Sequence, residues 1–135
     1  MPSQIYVNLP VGDLPRSKAF FESLGFSFEP RFTNESGAGM VIAENIYAML
    51  LAEPFFKGFT KKPICDARKS TEVLVALACA SRAEVDDLVA KALAAGGSAP
   101  NDPVDHGFMY GHGFEDLDGH IWELFYMEPG AQPNG

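Results

Sequence analysis

Apolar residues along this chain follow two alternating periods, and the order of those periods repeats. Ile5, Val7 and Leu9 alternate with Tyr6 and Asn8, a two-residue period that predicts a strand with its apolar side inward. A helical stripe comes next, with Leu14, Ser17, Phe21 and Leu24 along one side and Phe20 widening it. Asp13 is placed to cap that helix and Gly25 to end it. Three short strands are expected near 26–32, 39–43 and 46–51, with turn signals at Asn34-Glu35-Ser36-Gly37 and Glu44-Asn45.

The second half returns to the same order. Val73, Val75, Leu77 and Cys79 oppose Leu74, Ala76 and Ala78 in a strand predicted over 72–79. Ser81-Arg82-Ala83-Glu84 matches a capping box, in which the Ser and Glu side chains satisfy orphan amides at a helix start. Val85, Leu88, Val89, Ala92 and Leu93 then follow a helical stripe that Gly96-Gly97 terminates. Strands are expected near 98–99, 107–114 and 120–126, and Asp118-Gly119 supplies the positive-φ chemistry of a hairpin turn. A strand, a helix and three strands thus recur at a spacing of roughly 70 residues, which predicts an internal duplication. The expected fold is α+β: two βαβββ modules, at about 4–52 and 71–127, within a single domain spanning 1–135. The connector covers about 53–70, and 128–135 reads as a flexible tail. Either module alone leaves one sheet face uncovered; two together would enclose a space.

Composition narrows the function classes. A chain of 135 residues with 47% hydrophobic and 21% charged content is an ordinary globular chain. Its net charge of −8 disfavours nucleic acid, whose phosphates it would repel. No apolar run approaches the length of a membrane span, and no basic and apolar leader marks the start, so neither a membrane partner nor secretion is expected. Cys65 and Cys79 form no C-x-x-C pair, which suits a reduced, cytoplasmic chain, with Cys79 as a small core residue.

The candidate chemistry lies in the run Phe114-Glu115-Asp116-Leu117-Asp118-Gly119-His120-Ile121-Trp122-Glu123-Leu124. Glu123 interrupts an otherwise β-forming, apolar strand. A carboxylate there must face water, a partner or a metal, because burying it alone is costly.

Several of these features together resemble the vicinal oxygen chelate superfamily, which includes glyoxalase I, extradiol dioxygenases, fosfomycin-resistance enzymes and bleomycin-resistance proteins. The resemblance rests on the duplicated order, Val11-Gly12-Asp13-Leu14 opening the first helix, Leu24-Gly25-Phe26 closing it, and the 114–124 run. It extends from about Ile5 to Met127. Leu117 stands where the family usually has proline. The resemblance implies a curved, mixed-sheet cup, with metal ligands drawn from the first and last strands of each half. Those positions fall on Tyr6, on Met49 (with Glu53 close by), on Leu74 (or Glu72 if the register slips) and on Glu123. Tyrosine, methionine and leucine do not hold a divalent cation of the kind His, Asp and Glu bind. No cofactor is therefore expected, and a divalent metal is disfavoured.

Without the metal, Glu123 retains two roles. It could act as a base in an apolar cup, since desolvation raises a carboxylate's pKa. It could instead be a polar anchor, accepting a hydrogen bond from Tyr6 or Asn8. The expected ligand-binding set is Tyr6, Asn8, Met49, Leu74, Gly111, Gly113 and Glu123. His120 reads as a turn residue and His106 as a solvated loop residue. His112 depends on register: opposite Glu123 it could relay a proton, whereas a slip of one residue sets Gly111 and Gly113 on the Glu123 side and turns His112 away. The family pattern implies the second arrangement.

Phe55, Phe56 and Phe59 after Pro54 predict a short amphipathic turn in the connector, a cover for a core, partner subunit or pocket. Lys57, Lys61, Lys62, Arg68 and Lys69 lie nearby, half of the ten basic residues, and could steer an anion or simply be solvated. Two functions follow: a glyoxalase-like lyase or isomerase acting on a small metabolite, or a bleomycin-resistance-like protein that sequesters a small molecule. A homodimer is implied for both.

Overall fold

The computed structural model describes residues 1–130, and the chain divides into two compact units with the boundary in sequence between Cys65 and Asp66, inside the expected connector. Each unit holds one four-stranded mixed sheet with a helix against it, so the α+β assignment holds.

In the first unit, β1 (Ile5–Val11) leads into α1 (Leu14–Ser23), followed by β2 (Ser27–Glu29), β3 (Gly37–Ala43) and β4 (Ile46–Ala52). The sheet order is β1-β4-β3-β2, with β1 parallel to β4 and the remaining pairs antiparallel. Asp13 caps α1 by accepting the Arg16 amide at 3.1 Å. Gly25 takes the left-handed conformation that ends the helix, at φ +102°. Leu14, Ser17, Phe20, Phe21 and Leu24 are all buried, as the stripe requires. Two expectations shift. The core end of β1 is Leu9 and Val11, whereas Ile5 at the open end of the strand is exposed. The strand expected over 26–32 stops at Glu29, because Pro30 cannot donate to the ladder and starts a 3-10 turn over Pro30–Phe32.

The connector carries the predicted aromatic turn, α2 (Glu53–Phe56) and a 3-10 turn over Lys57–Phe59. Phe55 and Phe59 are exposed and meet edge to face at 5.2 Å.

In the second unit, β5 (Leu74–Ala78) precedes α3 (Arg82–Ala94), β6 (Val104–Asp105), β7 (Met109–Glu115) and β8 (Ile121–Met127). The order β5-β8-β7-β6 repeats that of the first sheet, with β5 parallel to β8. Ser81 Oγ accepts the Glu84 amide at 3.1 Å, and Glu84 reaches back to the Ala80 amide at 2.8 Å, one residue earlier than the capping box places it. Val85, Val89 and Ala92 are buried, but Leu93 is exposed, so the stripe is narrower than expected. Ser98 forms only a single bridge to Glu115, and the partner of β7 on the side away from β8 is β6, a strand that the sequence did not announce. The expected tail is anchored at its start, where Glu128 donates its amide to Phe108 O at 2.8 Å. Residues 131–135 of that tail lie outside the described residues.

Cys79 is half-buried rather than a full core residue, and burial beside Glu84 pushes its thiol up to about 11. Cys65 is exposed. Because the thiolate is the reactive form, a thiol-reactive chromophore at neutral pH should label Cys65 first and Cys79 only slowly. Mass-mapped labelling of the native protein checks this, and equal rates at both cysteines would contradict it.

Candidate functional site

The β7–β8 hairpin settles the register on which the site depends. Gly113 stands opposite Glu123, Gly111 opposite Phe125 and His112 opposite Leu124. Glu123, Phe125, Gly111 and Gly113 therefore share one sheet face, while His112, Phe114, Trp122 and Leu124 share the other. That second face is the core, with Phe114, Trp122 and Leu124 buried there and α3 against β7 and β8. His112 thus points away from Glu123, and its Nε2 lies 3.1 Å from Asn101 O. The proton relay is absent from this register.

The missing side chains around Glu123 create space. A Cβ at Gly113 would lie 2.9 Å from Glu123 Oε2 and 2.9 Å from Trp122 O, so the carboxylate occupies room that only glycine leaves. On the other flank, the direct neighbour of Glu123 is Ala76, not Leu74, which pairs with Ile121 and is exposed. Glu72 precedes the strand. A concavity of about 640 Å³ opens beside the carboxylate, lined by residues of the 101–106 loop together with Met109, Gly111, His112, Gly113, Glu123, Leu124 and Phe125. Leu74 is not among the residues that line it.

The first unit repeats this geometry with different chemistry. Met49 stands opposite Gly39 on β3 and beside Asn8 on β1, the positions that Gly113 and Ala76 hold around Glu123. Met49, rather than Glu53 at the start of α2, is therefore the counterpart of Glu123. Tyr6 stacks on Tyr47 at 4.9 Å, and Phe32 meets both rings edge-on. The Tyr6 hydroxyl donates to Gln4 Oε1 at 3.0 Å, and Asn8 Nδ2 lies 3.5 Å from Tyr6 O. The face offers rings and a thioether where a metal centre would need carboxylates or imidazoles. Among the described residues, no three His, Cys, Asp or Glu groups gather as ligands.

A residue that sequence reading passed over organises the turn before β8. Asp116 is buried and accepts from Trp122 Nε1 at 3.0 Å, the Asp118 amide at 2.9 Å and the His120 amide at 3.0 Å. Burial pushes its carboxyl above the ordinary carboxylate range, against the pull of His120 and of these N–H donors. His120 belongs to this turn, as expected. Gly119 has φ +91°, with the backbone of Ala67 and Arg68 packed against it, and Arg68 donates to Leu117 O. Arg68 is thus a strut of the turn.

Arg82 fastens the loop that borders the concavity. Its guanidinium holds Asp105 at 2.9 Å, Gly107 O at 2.8 Å and Glu128 at 3.4 Å, and it lies over the Tyr110 ring. His106 is exposed and stacks on Phe108, with ring centroids 6.0 Å apart.

Known structures share this architecture. The hypothetical protein SA1046 from S. aureus superposes with a TM-score of 0.80 at 28% identity, covering 93% of this chain and 94% of that one. A glyoxalase-related enzyme from Fulvimarina pelagi follows at 0.77 and 22% identity, covering 93% and 88%. A glyoxalase/bleomycin resistance protein/dioxygenase family enzyme from Burkholderia phytofirmans PsJN gives 0.74 and 18%, covering 90% and 96%. No curated protein matches the chain. The family description that matches spans residues 3–124, nearly the whole length over which the duplicated sheets and the Glu123 hairpin were traced, and by it the chain belongs to the Glyoxalase/Bleomycin resistance protein/Dioxygenase superfamily.

Proposed function

We propose that the chain binds a small organic molecule against the Glu123 face of its second sheet, with Glu123 as a polar anchor and without a catalytic metal. The observation that carries this reading is the Gly113–Glu123 pairing. A carboxylate stands over a glycine beside a concavity of about 640 Å³, and no described residue donates to it. A carboxylate left in that state in a mostly apolar recess is a hydrogen-bond acceptor for something that arrives from outside.

One observation favours a second, enzymatic reading. The same unpartnered carboxylate could move a proton on a bound metabolite, as a lyase or isomerase requires. The position of His112 on the opposite face weighs against it, since no second acid–base group supports Glu123 from β7. A homodimer, a cytoplasmic setting and the lack of nucleic-acid or membrane partners belong to the same proposal. Two cysteines outside any disulfide, Cys65 and Cys79, the acidic charge, and the lack of any described helix long and apolar enough to cross a membrane accord with these.

Native mass spectrometry and elemental analysis of protein purified without chelators test the reading together. The expected result is substoichiometric metal and, in a parallel thermal-shift screen, a rise with small metabolites that carry a hydrogen-bond donor, which Glu123→Gln diminishes. Stoichiometric nickel, zinc, iron or manganese would overturn the metal-free reading, and a shift unaffected by Glu123→Gln would overturn the anchor.

A further inference from the structure

The charge and shape of this recess point to a class of ligand. We propose that it takes an organic cation, a protonated amine carried on an apolar body; this rests on the small-molecule reading above. Among the described residues that line the recess there are two carboxylates, Asp102 and Glu123, and neither lysine nor arginine. Arg82, whose partners include Asp105 of the neighbouring β6, is already committed to that carboxylate, to Glu128 and to a backbone carbonyl. The histidines are also engaged, His112 at the Asn101 carbonyl and His106 on the Phe108 ring. An anionic head group would thus meet two like charges and no cation, in a chain whose net charge is −8.

The surroundings of Glu123 suit a compact cation with bulk behind it. Gly113 and Ala76 flank the carboxylate on its own face, so neither neighbour carries a side chain beyond Cβ to fill the space beside its oxygens. Phe125 continues that face two residues on, and Met109 lies on β7 at the same recess. An ammonium group can therefore donate to Glu123 while an apolar body covers the ring and thioether, and aromatic faces attract cations.

The test uses the full chain and three probes of one shape: benzylammonium, benzyl alcohol and benzoate. Binding is followed by NMR through the Gly111 and Gly113 amides. The expected result is that benzylammonium binds about ten-fold more tightly than benzyl alcohol at low salt, with benzoate weakest. Glu123→Gln should bring the cation and the alcohol to within about two-fold. In the unmodified protein, raising the salt concentration should narrow the same gap, a measurement that depends on no variant folding. If benzoate or the alcohol binds as tightly as the cation, or if the gap ignores both Glu123→Gln and salt, the ligand class is wrong while the site stands. If none of the three moves those amides at millimolar concentration, the small-molecule reading of the recess fails and takes this inference with it.

Discussion

Replacing Asp116 with alanine should cost about 3 kcal/mol, because it removes the acceptor for three N–H donors, one of them the indole of the fully buried Trp122. In a chain of this length the melting temperature should fall by about 10 °C, as calorimetry would read it. A loss of a few tenths of a kcal/mol would mean that water replaces the carboxylate, and that the turn does not depend on it. The charge on Asp116 adds a pH signature. Its folded pKa is raised above the ordinary value of 3.8, so the native state holds the proton to a higher pH than the unfolded chain does. The associated stability is fully present below the unfolded value and is lost as pH rises through the folded one. Asp116→Asn does not titrate. Its stability relative to the parent should therefore improve as pH rises from about 4 through that window, whatever the constant cost of the substitution. Urea denaturation of both proteins across that pH range checks the slope, and parallel profiles would contradict it.

Gly119→Ala should be the other large loss, about 2–4 kcal/mol, from strained backbone and overpacking combined. The turn requires φ +91°, which an L side chain rarely adopts. The added Cβ would also lie 2.9 Å from Arg68 N and 3.0 Å from Ala67 C, backbone atoms that cannot swing aside. Gly25→Ala supplies the control, since φ is +102° there but no atom lies within 4 Å of the added Cβ. The difference between the two variants in chemical denaturation isolates the contact with the 67–68 segment, and equal losses would show that this segment yields.

Most of the fold was legible because its signals are local. Asp13 and Ser81 start their helices with short polar side chains, Gly25 and Gly96 end them with positive φ, and the buried stripe on α1 follows its period. What escaped depends on pairings that no local residue pattern marks. β6 is two residues long and exists because Val104 and Asp105 pair with Gly111 and Tyr110. Ala76 stands beside Glu123 because the parallel register of β5 on β8 is set across more than forty residues of chain, beyond any local pattern. Asp116 carries no local signal of its role, and only the approach of Trp122 reveals it as a buried acceptor. Glu123 itself was visible as an acid in an apolar strand, and the glycine opposite it was favoured by the family pattern rather than by any local signal.

The parallel geometry of Met49 and Glu123 bears on how such a protein can change over time. Two copies of one building block give the same address twice, and each address is framed by a glycine on the adjoining strand. The thioether in the first copy and the acid in the second are accommodated by the same backbone, so neither occupant is demanded by folding. Drift at one address therefore leaves the scaffold intact while the other retains its chemistry, and descendants can acquire new specificities in one lobe without first having to invent a new architecture.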